Sequence, residues 1–288
     1  MNYGWINDPA AVAATLADLP MPRFADVAPP AAEGDVFLWQ ACRAVTGDHL
    51  PAHNQLDVGC CVGEGFASAV EYLACVEIAG GAARGYEAVS SEAVYALSRV
   101  EVGGGRIRGD GSVGAWAAKA VNQYGVLPRR SIGVYDLTRF DPRRARAWGA
   151  SGLPDDLEPT ARQHLVRTVS LVRSFDEARA AISNGYPVAV CSDQGFAMTR
   201  DADGFCAARG TWYHCMCFIG VAAGRRPGLC CLQSWGPRTP GGPIGLGGHP
   251  DCGFWVDADV ADRMLRQGDS WAVSAFDGFP ARTLDWRV

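Results

Sequence analysis

The chain has 288 residues, enough for one large domain or two packed lobes around a substantial core. Apolar residues make up 48% and charged residues 20%, which excludes a disordered polyelectrolyte, and the net charge of −5 argues against a dedicated nucleic-acid binder. No apolar run approaches the ~18 residues of a membrane span. Residues 1–19 carry Asp8 and Asp18, lack a basic start and do not read as a secretory signal. A cytoplasmic or particle-associated protein with no membrane partner is expected.

Residues 1–35, rich in Ala and Pro, are expected to form an N-terminal arm ahead of a domain over 36–288. Pro20, Pro22, Pro29 and Pro30 rule out a long helix there and leave a short one around Asp8–Leu19. A helical lobe is expected over about 55–150. Phe66, Ala69, Val70, Leu73 and Val76 recur at helical spacing from Cys61 to about Ile78, making an amphipathic helix that Gly80-Gly81 stops. Further helices are predicted over Ser91–Val100 and Val113–Tyr124. Residues 130–165 show no clear pattern, and the short cluster Arg143, Arg144 and Arg146 reads as solvated surface.

From about 165 to 288 the pattern turns to strand. Ser174 and Glu177 form an S-x-x-E capping box for a helix ending at Asn184. Strands are predicted at Pro187–Ser192, His214–Ala222, Gly228–Trp235, Gly253–Asp257 and Trp271–Phe276, with a short helix at Asp259–Arg266. A helical front and a strand-rich back make the class α+β, with a cleft between two lobes as the place for a site.

Eleven cysteines, an odd number set mostly in apolar segments, do not read as a disulfide framework and act as small hydrophobes. Cys215-x-Cys217 and Cys230-Cys231 do not match the knuckle spacing of structural zinc, so neither metal nor organic cofactor is expected. Cys61 differs, because it heads the strongest helix, where the dipole favours a thiolate. His214, flanked by Trp212 and Tyr213 at the start of a strand, can supply the base. Gln55, six positions before Cys61, can donate its amide to a developing oxyanion beside the Cys61 N–H. Gln233 is the candidate to hold the imidazole. Cys60 is the adjacent rival nucleophile, disfavoured by its offset from Gln55. His49, His53, His164 and His249 lack such company and read as surface residues.

Gln55-x5-Cys61 at a helix start, His214 opening a strand, and Gln-Ser-Trp-Gly nineteen residues later resemble the papain-like cysteine peptidases. Arg108-Gly-Asp-Gly-Ser-Val-Gly-Ala-Trp116, leading into Asn122-Gln-Tyr-Gly-Val126, looks like that family's substrate loop and next helix. Gly241-Gly-Pro into Gly253-Phe-Trp-Val256 is similar to its closing segment. The Cys61-to-His214 separation of 153 lies close to the ~130–150 of that family. The likeness spans about residues 36–257.

The resemblance implies a papain-like two-lobe fold, with a helical N-terminal lobe and an antiparallel β C-terminal lobe. It implies a thiol-dependent peptidase or amide hydrolase acting on a peptide or protein without a cofactor. Cys61, His214, Gln233 and Gln55 would be its catalytic set. Gly109, Asp110, Gly111, Ser112 and Tyr213 would line the substrate, with Trp235 shielding the orienting amide and Cys60 beside the nucleophile. Three positions depart from the family pattern: Val62 replaces an aromatic residue, Val58-Gly-Cys-Cys61 replaces Cys-Gly-Ser-Cys, and Gln233 replaces Asn. Val62 and Gln233 motivate another reading, a weak or inactive module for binding or assembly, docking through the arm. A second enzymatic variant is a transferase or isopeptidase on the same thiol chemistry, in which an amine replaces water. The arm is shorter than the family's inhibitory pro-segment, so either activity is expected to be confined to a narrow substrate or the arm is expected to lie near the cleft.

Overall fold

The computed structural model describes residues 3–19, 24–27 and 29–274. Helix α1 (Pro9–Asp18) is capped by Asp8, whose Oδ1 accepts from the Ala11 N–H at 3.0 Å, and Pro9 sits where its missing N–H costs nothing. A one-turn helix α2 (Phe24–Val27), a short strand β1 (Val36–Phe37) and helix α3 (Trp39–Thr46) lead to α4 (Cys61–Ala79). The helix expected from Cys61 is present, but it is enclosed rather than half-exposed: even Glu64 and Glu71 are buried along it.

Helix α5 (Ser91–Leu97) passes into a π-helical turn over Ser98–Val102, so the single predicted helix Ser91–Val100 is split. Helix α6 (Gly114–Gln123), the hairpin β2 (Ser131–Ile132) and β3 (Tyr135–Asp136), and helices α7 (Pro142–Ser151) and α8 (Glu158–Ala161) complete the helical lobe. Arg144 on α7 is not the solvated cation expected from the sequence. It pairs at 2.8 Å with the fully buried Glu92 of α5, which Arg129 meets at 3.0 Å. Removing either arginine would leave a buried carboxylate short of charge.

The second lobe comprises β4 (Thr168–Leu171), α9 (Phe175–Ser183), β5 (Val188–Phe196), β6 (Ala208–Ala222), β7 (Gly228–Leu232), β8 (Gly253–Asp257), α10 (Ala258–Leu265) and β9 (Trp271–Ser274). Ser174 caps α9 through the Glu177 N–H, while the Glu177 carboxylate turns back to the Arg173 N–H. The antiparallel order is β4-β9-β5-β6-β7-β8, with β1 adding to β6. The predicted strand Gly228–Trp235 stops at Leu232, because the next residues leave β8 and pair with the segment before α4. The last two residues of the predicted strand Trp271–Phe276 lie outside the described residues.

The chain therefore has an α+β fold in which α4 lies against β6. Gly65 permits the contact: a Cβ there would stand 2.6 Å from Cys215 Sγ and 3.0 Å from the Met216 carbonyl oxygen. All eleven cysteines are free and buried, as the sequence suggests for small core hydrophobes. Among the described residues no helix is long and apolar enough to cross a membrane.

Candidate active site

Close packing of α4 on β6 brings Cys61 to the backbone beside His214. Cys61 is the first residue of α4, and its Sγ accepts from the backbone N–H of Cys215, the residue after His214, at 3.4 Å. His214 is fully buried. Its ring stacks on Trp235 with centroids 4.5 Å apart, and Trp212 approaches edge-on at 6.5 Å. Neither ring nitrogen of His214 has a hydrogen-bond partner. Burial pushes the Cys61 thiol well above its ordinary value, and the amides of Cys215 and Gly4 only partly oppose this. Burial also lowers His214 to about 3. In this state the two groups are a neutral thiol and a neutral imidazole, because a low-dielectric surrounding penalises both charged forms.

Residues 3–6 lie beside the thiol, with the Gly4 amide reaching Cys61. The N–H groups of Gly4 and Trp5 both donate to the Tyr213 carbonyl, at 3.2 and 3.0 Å. Ile6 N–H donates to Ser112 O at 2.9 Å, and Ser112 N–H donates to Gly4 O at 2.8 Å. Trp5 and Ser112 thus form a parallel bridge. Tyr213 adopts a positive φ of 48°, which turns its carbonyl toward the segment. Trp5 is buried, its ring stacks on Tyr213 at 6.3 Å, and its indole Nε1 donates to Asp269 Oδ2 at 2.8 Å. Gly4 allows the close approach, since a Cβ there would sit 2.0 Å from the Gly59 carbonyl oxygen. The beginning of the expected arm is therefore part of the site.

Of the expected substrate loop, Ser112 and Tyr213 meet this segment through their backbones, and the others support the loop. Asp110 Oδ2 accepts from the Gly59 N–H at 2.7 Å, tying the loop to the turn before Cys61. The buried guanidinium of Arg99 donates to the carbonyls of Gly109 and Gly111, at 2.7 and 2.5 Å. The sequence reading missed Arg99, Trp5 and Asp269. Asp269, which also accepts from Gly114 N–H and Trp271 Nε1, is pushed up to about 6 by burial.

Gln55 is buried in the segment before the nucleophile. Its N–H donates to Ser234 O at 2.9 Å, its Oε1 accepts from the Ser234 hydroxyl at 2.7 Å, and its Nε2 donates to Val58 O at 2.8 Å. Gln233 is buried on the neighbouring turn, but its amide nitrogen donates to Thr239 O rather than facing His214, and its Oε1 has no partner. Cys60 is buried with its thiol directed at Glu64 Oε1, 3.7 Å away, and both burial and Glu64 raise its pKa. Two of the histidines expected at the surface are not there: His53 is half-buried and His249 buried. His53 bridges Glu64 and Glu71 at 2.7 and 2.9 Å, and His249 is 2% exposed. Among the described residues no group of three or more His, Cys, Asp or Glu is placed to hold a metal ion.

No family model matches the chain, and no curated protein sequence does. Solved structures do match. Xylellain, a cysteine protease from Xylella fastidiosa, superposes with a TM-score of 0.58 at 15% identity, over 96% of this chain and 92% of its own. Procathepsin B S9 from Trypanosoma congolense gives 0.55 at 12% identity, over 95% and 85%. Digestive procathepsin L 3 from Tenebrio molitor larval midgut gives 0.54 at 14% identity, over 88% and 73%. At such identities the likeness speaks for architecture alone. The chain has the papain-like cysteine protease fold.

Proposed function

We propose that this protein is a thiol-dependent peptidase held latent by its own residues 3–6. The observation that carries this reading is the position of Cys61, at a helix N-terminus and hydrogen-bonded to the residue after a buried His214, under a segment bound by its backbone. An extended peptide can use the same backbone groups of Ser112 and Tyr213, so a peptide or protein segment is the substrate class that fits.

When residues 3–6 leave, water reaches the pair and the desolvation that keeps both groups neutral is relieved. The proton of Cys61 then passes to His214, and the helix N-terminus favours the thiolate. The thiolate attacks the peptide carbonyl carbon, forming the C–S bond, while Gln55 and the Cys61 N–H hold the oxyanion. The carbonyl re-forms, the C–N bond breaks, and the imidazolium gives its proton to the departing amine. His214 then takes a proton from water, whose oxygen attacks the thioester, and the C–S bond breaks. Gln233 Oε1 and His214 Nδ1 are both buried without partners, and they would satisfy one another if the amide turned from Thr239. That pairing gives Gln233 its orienting role in this reading.

The unpaired imidazole and the neutral thiol favour a second reading, an inactive module for binding or assembly. The full-length chain carrying Trp5→Ala separates the two. A peptidase gives Cys61 alkylation at about pH 5–6, below the usual thiol range, dependence of that rate on His214, and turnover of a fluorogenic peptide amide. Alkylation of Cys61 at the rate of the other ten cysteines, with no peptide turnover, would sink the peptidase reading.

A further inference from the structure

His53 lies two residues before Gln55 and joins two parts of the site. Its backbone carbonyl accepts from Gly236 N–H at 2.9 Å, and Asn54 bridges to Trp235, so residues 53–55 run antiparallel to the Ser234–Gly236 turn. Its side chain faces the opposite way, into α4. Nδ1 lies 2.7 Å from Glu64 Oε2 and Nε2 lies 2.9 Å from Glu71 Oε2. Glu64 is one turn beyond Cys61 and Glu71 three turns beyond, so both carboxylates ride on the helix that carries the thiol.

Both carboxylates are 3% exposed or less, and an imidazole can donate to both only when each ring nitrogen carries a proton. The bridge is therefore a partly buried imidazolium between two buried carboxylates. Their remaining oxygens are engaged too: Glu71 Oε1 accepts from Val89 N–H at 2.7 Å, and Glu64 Oε1 faces the Cys60 thiol. A side chain fixed at both ends by charge-assisted bonds has little freedom to move. What it fixes is the distance between the Gln55 segment and the first turns of α4.

We propose that His53 is a positioning residue, which holds Gln55 against the Cys61 helix through Glu64 and Glu71 so that the amide meets the developing oxyanion. The inference rests on the peptidase reading, because it gives Gln55 a task only in acyl transfer. A shift of about 1 Å in that donor is enough to slow the chemical step without altering how the peptide binds. His53 touches no substrate and acts wholly through Gln55.

The test uses the full-length chain with Trp5→Ala and a peptide amide substrate, comparing His53→Gln with Gln55 present and with Gln55→Ala. The proposal expects His53→Gln to lower kcat on the order of tenfold at unchanged KM when Gln55 is present. In the Gln55→Ala background the further loss should be under about twofold, since the residue it serves is gone. Equal losses in both backgrounds, or an effect confined to KM or to the melting temperature, overturn it. If His53→Gln fails to fold because two buried carboxylates lose their counter-charge, His53→Gln with Glu64→Gln removes one of those charges and carries the same comparison. Absence of any turnover from the Trp5→Ala chain overturns the peptidase reading and this inference with it, whereas turnover with additive losses overturns the inference alone.

Discussion

The indole of Trp5 and the carboxylate of Asp269, 264 positions apart in the chain, meet at 2.8 Å and fasten residues 3–6 over the thiol. Asp269 also accepts from Trp271 Nε1 on the strand side and from Gly114 N–H at the start of α6. The latch thus draws on the amino-terminal segment, a helix and the sheet.

Two buried groups make that latch sensitive to acid in opposite senses. His214 is lowered from 6.5 to about 3 under the segment, so its preference for the covered state is full above 6.5 and is lost as pH falls toward 3. Asp269 is raised from 3.8 to about 6, so its preference is full below 3.8 and is lost as pH rises through about 6. If both regain ordinary values on uncovering, at pH 5 His214 favours opening by about 2 kcal/mol and Asp269 closure by about 1.4 kcal/mol, at 1.36 kcal/mol per pH unit. Acidification from pH 7 to 5 should therefore raise the open population only a few-fold. Asp269→Asn removes the opposing proton and should steepen the response toward tenfold per pH unit. Hydrogen exchange at the amides of residues 4–6, corrected for intrinsic rates, reads this population; flat protection over that range in both proteins would contradict the account.

Gly4→Ala should displace residues 3–6 while leaving the side chains of Cys61, His214, Trp5 and Asp269 unaltered. The added Cβ would lie 2.0 Å from the Gly59 carbonyl oxygen, backbone against backbone, where no rotamer change relieves the clash. Cys61 alkylation should rise more than about tenfold as its burial is undone. Gly34→Ala, whose Cβ would meet nothing within 4 Å, is the control and should leave the rate unchanged. Equal rates in the two variants would mean that residues 3–6 do not guard the thiol.

His53 makes a prediction about stability that needs no activity. Its pKa is raised from 6.5 to about 10: burial alone would lower it, and the charges and hydrogen bonds of Glu71 and Glu64 prevail. A raised folded value contributes stability that is complete below 6.5 and disappears as pH rises through about 10. The chemical-denaturation midpoint should therefore fall between pH 6.5 and 10 in the full-length protein, and His53→Gln should remove that slope. At pH 6.5 the substitution should cost about 3–5 kcal/mol, the scale of a buried pair broken from one side. A midpoint with the same pH slope in both proteins would show that the imidazole is not charged in the folded state.

The elements legible in the sequence are those set by local pattern. The helix from Cys61 could be read from the apolar spacing of Phe66, Leu73 and Val76, and the α9 cap from Ser174 and Glu177. Cys61 could be singled out because it heads a helix, and Gln55 by its six-residue offset from it; His214 could be singled out by its aromatic flank, although it lies inside β6 (Ala208–Ala222) and does not open a strand as expected. Trp5 could not, since its partners are at Tyr213 and Asp269 and a short Pro-rich stretch carries no periodicity. Glu64 and Glu71 carry no local mark of burial in the sequence, yet both are buried. They are buried because His53 supplies, from outside the helix, the charge that lets them be. Arg144 misled in the same way, its buried partner Glu92 being 52 positions away. Long-range pairing of charges leaves no local trace.

Gln233 remains the point where sequence pattern and geometry diverge, and one substitution decides its role. Its amide nitrogen is spent on Thr239 O, while its Oε1 and both nitrogens of His214 are buried without partners. Each such orphan costs about 1–3 kcal/mol, so the covered state carries an incentive for the amide to turn toward the imidazole. Gln233→Met keeps the length of the side chain and removes both polar atoms. In the Trp5→Ala chain it should lower kcat on the order of tenfold, because the imidazolium loses the acceptor that fixes its orientation. The melting temperature should change little, since one hydrogen bond to Thr239 is lost while one orphaned oxygen is removed. An unchanged kcat would mean that stacking on Trp235, at 4.5 Å, orients His214 unaided.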